Sequence, residues 1–86
     1  MVTKKVLIAN KIGLHARPAG VFSRTAAQFQ SNIIIDYNDK KVDAKSILNL
    51  LSAGIAGWST ITITAEGEDE NEAIDKLCEL VQAEAE

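Results

Sequence analysis

The clearest pattern along the chain is the alternation over residues 60–65, where Ile61, Ile63 and Ala65 interleave with Thr60, Thr62 and Thr64. A period of two turns one face of a strand inward and leaves the other wet. Residues 32–37 carry Ile33, Ile34 and Ile35 and predict a second strand. Asn38-Asp39 follows, and both residues tolerate positive φ, so a two-residue hairpin turn is expected, with 40–43 returning as a short partner strand. Residues 2–8 are β-branched and apolar enough for another strand, though their alternation is imperfect.

Elsewhere the period lengthens. Over residues 16–28, Ala19, Phe22 and Ala26, with Phe29 just beyond, follow the spacing of one helical face. Pro18 lacks an N–H to donate and is tolerable only near a helix start, which places that start close to His15 or Ala16. Ser46 precedes Ile47-Leu48-Asn49-Leu50-Leu51, a short helix capped by serine and ended near Gly54. The last helix is expected to open on a capping box, Asp69 with Glu72, and to bury Ile74, Leu77, Cys78 and Val81. The order is therefore βαββαβα. No parallel strand–helix–strand repeat runs through it, so the expected class is α+β. The architecture is an open-faced two-layer sandwich, a four-stranded antiparallel sheet with three helices on one face.

Composition narrows the function classes. The 86 residues have room for one domain, expected to span 1–86, with 47% hydrophobic and 24% charged residues. A net charge of −3 disfavours generic nucleic-acid binding. A single cysteine, Cys78, cannot form an internal disulfide and reads as a core residue, and no apolar run reaches membrane-spanning length. A cytoplasmic location is expected. One histidine and one cysteine, far apart in sequence, offer no metal-ligand cluster, and no cofactor is expected.

Chemistry concentrates at Gly13-Leu14-His15-Ala16-Arg17-Pro18. The first turn of a helix has unpaired backbone N–H groups and the positive end of the macrodipole, a ready site for an anion. A histidine there sits beside donors suited to phosphate oxygens, and Arg17 adds a planar donor fork. Nearby positive charge disfavours imidazolium, so the ring is expected to be more readily neutral and nucleophilic than an unperturbed histidine. Taken alone, the same spacing also suits a surface or capping histidine without chemistry.

Gly13-Leu14-His15-Ala16-Arg17-Pro18-Ala19 resembles the active-site motif of HPr, the histidine-containing phosphocarrier family of the bacterial phosphoenolpyruvate:sugar phosphotransferase system. Lys40-Lys41-Val42-Asp43-Ala44-Lys45-Ser46-Ile47 resembles that family's second signature, and residues 60–67 resemble its last strand. The resemblance implies a stoichiometric carrier rather than an enzyme. Phosphate would pass from phosphoenolpyruvate through enzyme I to Nδ1 of His15, and then to a sugar-specific IIA domain. Arg17 would bind the phosphate, Gly13 and Leu14 would shape the loop, and the N–H groups of Ala16 and Arg17 would face the anion.

Ser46 carries two readings: a helix N-cap, and, by the resemblance, a regulatory site for HPr kinase/phosphorylase with a transcriptional regulator as a further partner. Gly20, Val21, Arg24, Ile47, Leu48 and Leu51 are the expected partner surface, apolar in the middle with Arg24 and Lys45 as a basic rim. The alternative for Ile47, Leu48 and Leu51 is core. Gly20, Leu48-Asn49 and Trp58 depart from the family pattern; Trp58 reads either as a partner contact or as a lid over the sheet edge. A monomer is expected. Two other functions share some of these features: a nitrogen-related phosphorelay would keep His15 and Arg17, and Gly54-Ile55-Ala56-Gly57 formally matches the G-x-x-G loop of KH domains without its basic surroundings.

Overall fold

The computed structural model describes residues 1–8, 13–14 and 16–83. Its elements are β1 (Val2–Leu7), α1 (Ala16–Ala27), β2 (Asn32–Tyr37), β3 (Lys40–Asp43), α2 (Ile47–Ala53), β4 (Thr60–Glu66) and α3 (Glu70–Ala83). The strands form one antiparallel sheet in the order β1-β4-β2-β3. The predicted α+β sandwich is the one that folds.

The cleanest alternation became one of the sheet's two inner strands. β4 pairs with β1 on one side and β2 on the other. Its Ile61, Ile63 and Ala65 are buried, and Thr3 and Thr64 share a hydrogen between their hydroxyls on the wet face at 3.2 Å. β1 alternates poorly because it is an edge strand. Lys4 shares the inward parity of Val2 and Val6 yet is exposed, and an inward-facing charge of this kind blunts an edge against further pairing. Asn38 and Asp39 both have positive φ, 49° and 65°, the geometry that matches the twist of the β2–β3 hairpin.

The helices close over the inner face of the sheet. Phe22, Ala19 and Ala26 of α1, Leu50 and Ala53 of α2, and Ala73, Ile74, Leu77, Cys78 and Val81 of α3 join the strand residues in one core. α3 packs on β1 and β4, α2 on β3, and α1 on both other helices. Burial raises the pKa of the Cys78 thiol, which suits a core residue rather than a reactive one.

Two helix ends differ from expectation. α1 stops at Ala27 because its last turn tightens: Gln28 and Phe29 donate to the carbonyls of Thr25 and Ala26. The Lys45 ammonium then caps the Phe29 carbonyl at 2.7 Å. At α3 the expected capping box gives way to a tie across the fold. The Asp69 carboxylate accepts from the Gln30 amide at 2.8 Å, the Ser31 amide at 3.0 Å and the Ser31 hydroxyl. Glu70 instead takes the Gly67 amide at 3.0 Å and the N-terminal ammonium at 3.0 Å. Both ends of α2 follow expectation: the Ser46 hydroxyl accepts from the Asn49 amide at 3.2 Å, and Gly54 ends the helix in the left-handed conformation.

Candidate functional site

His15 lies outside the described residues, as do residues 9–12. What is described is the frame on either side. Leu14, immediately before it, is buried, and its N–H donates to the Ile55 carbonyl at 3.2 Å. Gly13 has φ 86° and lies so close to the 55–57 backbone that an added Cβ would come within 2.1 Å of the Ile55 oxygen. Only glycine fits there, on both conformational and steric grounds.

Immediately after His15, α1 begins at Ala16, within the expected boundary. The N–H groups of Ala16 and Arg17 therefore belong to the first helical turn, where no carbonyl of the helix can accept them. No acidic side chain sits in that turn. Arg17 is exposed and pairs with no carboxylate among the described residues. The frame thus offers an anion two backbone donors, a helix dipole and a solvated guanidinium.

The floor under this segment was not visible in the sequence. Residues 55–59 hold both flanks of the site: the Ile8 amide donates to the Ser59 carbonyl and the Trp58 amide to the Ile8 carbonyl, each at 2.8 Å. From the other side, the Tyr37 hydroxyl accepts from the Ala56 amide at 3.3 Å and lies 3.5 Å from the Ser59 hydroxyl. These contacts hold the Tyr37 pKa below its ordinary value, the Ser59 hydroxyl first and the Ala56 amide next. No sequence signal marks them, because they join residues far apart in the chain. The same floor removes the nucleic-acid reading's loop from use: Gly54 is a helix cap, Ile55 is buried, and Gly13 covers the backbone that a G-x-x-G loop must present.

α1 and α2 bring most of the expected partner surface together. A Cβ on Gly20 would lie 3.6 Å from both the Arg24 guanidinium and the Ile47 side chain. Ile47, Leu48 and Leu51 are exposed to 40%, 72% and 40%, whereas Leu50 is buried, so the core alternative fails for those three. Val21 is half-buried and Arg24 exposed. Lys45, expected on the basic rim, is half-buried, and its ammonium donates to the Phe29 carbonyl. Ser46 is half-buried at its cap. Trp58 is 56% exposed in a left-handed conformation (φ 62°), which removes the lid reading.

A family model described as the PTS HPr component phosphorylation site matches residues 2–83. The chain belongs to the HPr family. It is 44% identical over 84 residues to the HPr-like protein Crh of Bacillus subtilis (strain 168), covering 98% of this chain and 99% of that one. Its fold superimposes on HPr of Thermoanaerobacter tengcongensis with a TM-score of 0.93, at 43% identity over 96% of this chain and 93% of the other. The crystal structure of Bacillus subtilis Crh, also 43% identical, gives a TM-score of 0.78 over 100% of this chain and 99% of that one, and it is a dimer with a swapped domain. The expected monomer finds no support in that relative.

The HPr fold is that of a phosphocarrier family. Among the described residues, no helix is long and apolar enough to cross a membrane.

Proposed function

We propose that the whole chain, residues 1–86, is one phosphocarrier domain, in which His15 takes a phosphoryl group from enzyme I and gives it to a IIA domain in sugar uptake. The observation that carries this reading is the start of α1 at Ala16, directly after His15, with Arg17 exposed in the same turn. In the forward step, the lone pair of neutral Nδ1 forms a bond to phosphorus as the bond from phosphorus to the donor atom breaks. The donor atom keeps that electron pair. Charge on the three phosphoryl oxygens is met by the first-turn amides and the Arg17 guanidinium. The reverse arrangement releases phosphorus to the IIA acceptor, so the chain carries phosphate without turning over substrate by itself. Exposed Ile47, Leu48 and Leu51, with Arg24 beside them, suit acidic partners that have an apolar centre.

Structures of Bacillus subtilis Crh, named for catabolite repression, favour a second task for the same domain. Phosphorylation of Ser46 by HPr kinase/phosphorylase would add ~−1.5 to −2 charge at the N-terminus of α2, where the helix dipole tolerates it. That charge would lie beside the apolar patch, weakening enzyme I binding and favouring a transcriptional regulator. Cytoplasmic localisation fits both tasks.

A two-stage transfer assay tests the carrier reading. Phosphoenolpyruvate and enzyme I should label the protein, and a IIA domain added afterwards should remove the label. A protein that is never labelled, or that is labelled but cannot be discharged by any IIA domain, contradicts it.

A further inference from the structure

One peptide group links Tyr37 to the residue before His15. The Ile55 carbonyl and the Ala56 N–H belong to the same planar unit. Its oxygen accepts from the Leu14 amide at 3.2 Å, and its N–H donates to the Tyr37 hydroxyl at 3.3 Å. Gly13 lies flat on the same stretch, within 2.8 Å of the Gly57 nitrogen for any added Cβ. A rotation of that peptide would break both hydrogen bonds at once and drive it into Gly13.

We infer that Tyr37 is a positioning residue for His15, acting through the Ile55–Ala56 peptide on the Leu14 amide. The inference rests on the carrier reading for its consequence, though not for its geometry. Tyr37 ends β2, where the left-handed Asn38-Asp39 turn fixes the strand end, and its ring packs against the core. The hydroxyl is therefore delivered from a rigid hairpin rather than from a loop. It is also the only side-chain group among the described residues that hydrogen-bonds the main chain of 55–59. A hydrogen bond at one end of a peptide polarises the group and strengthens the bond at the other end. The Tyr37 oxygen thus supports the carbonyl that holds Leu14, and Leu14 sets the chain entering His15 and the first turn of α1. Tyr37 need not touch the phosphate to affect its transfer.

Tyr37→Phe tests this, since it removes the oxygen and leaves the ring. In the unphosphorylated protein, Leu14 amide hydrogen exchange should accelerate fivefold or more, and the NMR-measured His15 imidazole pKa should move. In the transfer assay kcat should fall about three- to tenfold, with KM for the carrier unchanged because Ile47, Leu48 and Leu51 are untouched. Ser59→Ala, which leaves the peptide bonds in place, should keep Leu14 exchange within twofold of wild type. Tyr37 is the only tyrosine, so biosynthetic fluorotyrosine labels that position alone and weakens the oxygen as an acceptor without removing it. An intermediate exchange rate is expected there even where Tyr37→Phe folds poorly. Unchanged Leu14 exchange and His15 titration in Tyr37→Phe would overturn the inference, as would an equal effect from Ser59→Ala. If the wild type accepts no phosphoryl group, the carrier reading fails, while the exchange data still judge the Tyr37–Leu14 link.

Discussion

Gly13 rests on the carbonyl of Ile55 with no space for a side chain between them: a Cβ would lie 2.1 Å from that oxygen and 2.7 Å from the Ala56 carbonyl carbon. Both obstacles are backbone, so neither can swing aside. Gly13→Ala must therefore shift the floor or the loop and also hold alanine at positive φ. A loss of about 3 kcal/mol or more is expected, measured by urea unfolding, with slower phosphorylation of the fraction that stays folded.

Gly20 presents the opposite case. A Cβ there meets Arg24 and Ile47 at 3.6 Å, an ordinary contact distance, and the position is helical. Gly20→Ala should stabilise the protein by about 0.5–1 kcal/mol, because alanine loses less backbone entropy in a helix than glycine does. Thermal unfolding followed by circular dichroism checks the sign.

Acid stability should depend on Asp69. Its carboxyl is held below the ordinary carboxylate range by the Ser31 hydroxyl first, then by the Gln30 and Ser31 amides. A depressed folded pKa gives stability that is fully present above the unfolded value, 3.8, and is lost as pH falls through the folded one. Glu70 is lowered too, chiefly by the Gly67 amide, so its contribution is fully present above its own ordinary value, 4.5, and is also lost in acid. Asp69→Asn should lower Tm at neutral pH and reduce the further drop on acidification. Equal slopes of Tm against pH for the two proteins would contradict this assignment.

Ser46 allows its two roles to be separated. Ser46→Ala removes the oxygen that accepts the Asn49 amide and should cost about 1 kcal/mol. Ser46→Asp caps the helix as well as serine and should leave stability unchanged. It should still slow His15 phosphorylation by enzyme I, about tenfold if the added charge costs the docked complex roughly 1.4 kcal/mol. An unaltered rate would detach Ser46 from the docking face.

Local patterns in the sequence were faithful where local physics decides the outcome. The Asn38-Asp39 turn, the Ser46 cap, the Gly54 stop and the β4 alternation each depend on a few adjacent residues. The start of α1 followed from Pro18 alone. Asp69 shows where that reading ends: its composition suggested a cap on its own helix, but two unpaired amides at Gln30 and Ser31 competed for the carboxylate and won. Lys45 was likewise drawn from the surface to a helix-end carbonyl. The floor of the site, from Ile55 to Ser59 with Tyr37 behind it, was illegible because its chemistry lies in main-chain groups, which every residue type carries.

Phosphate on the His15 ring is the claim on which the rest of this account stands. The direct measurement is intact mass after incubation with phosphoenolpyruvate and enzyme I, repeated after brief acid treatment, for the wild type and His15→Ala. The account predicts one phosphoryl group on the wild type, lost in acid because a P–N bond is labile there, and none on the variant. A phosphoryl group that survives acid, or one that His15→Ala still acquires, would contradict it.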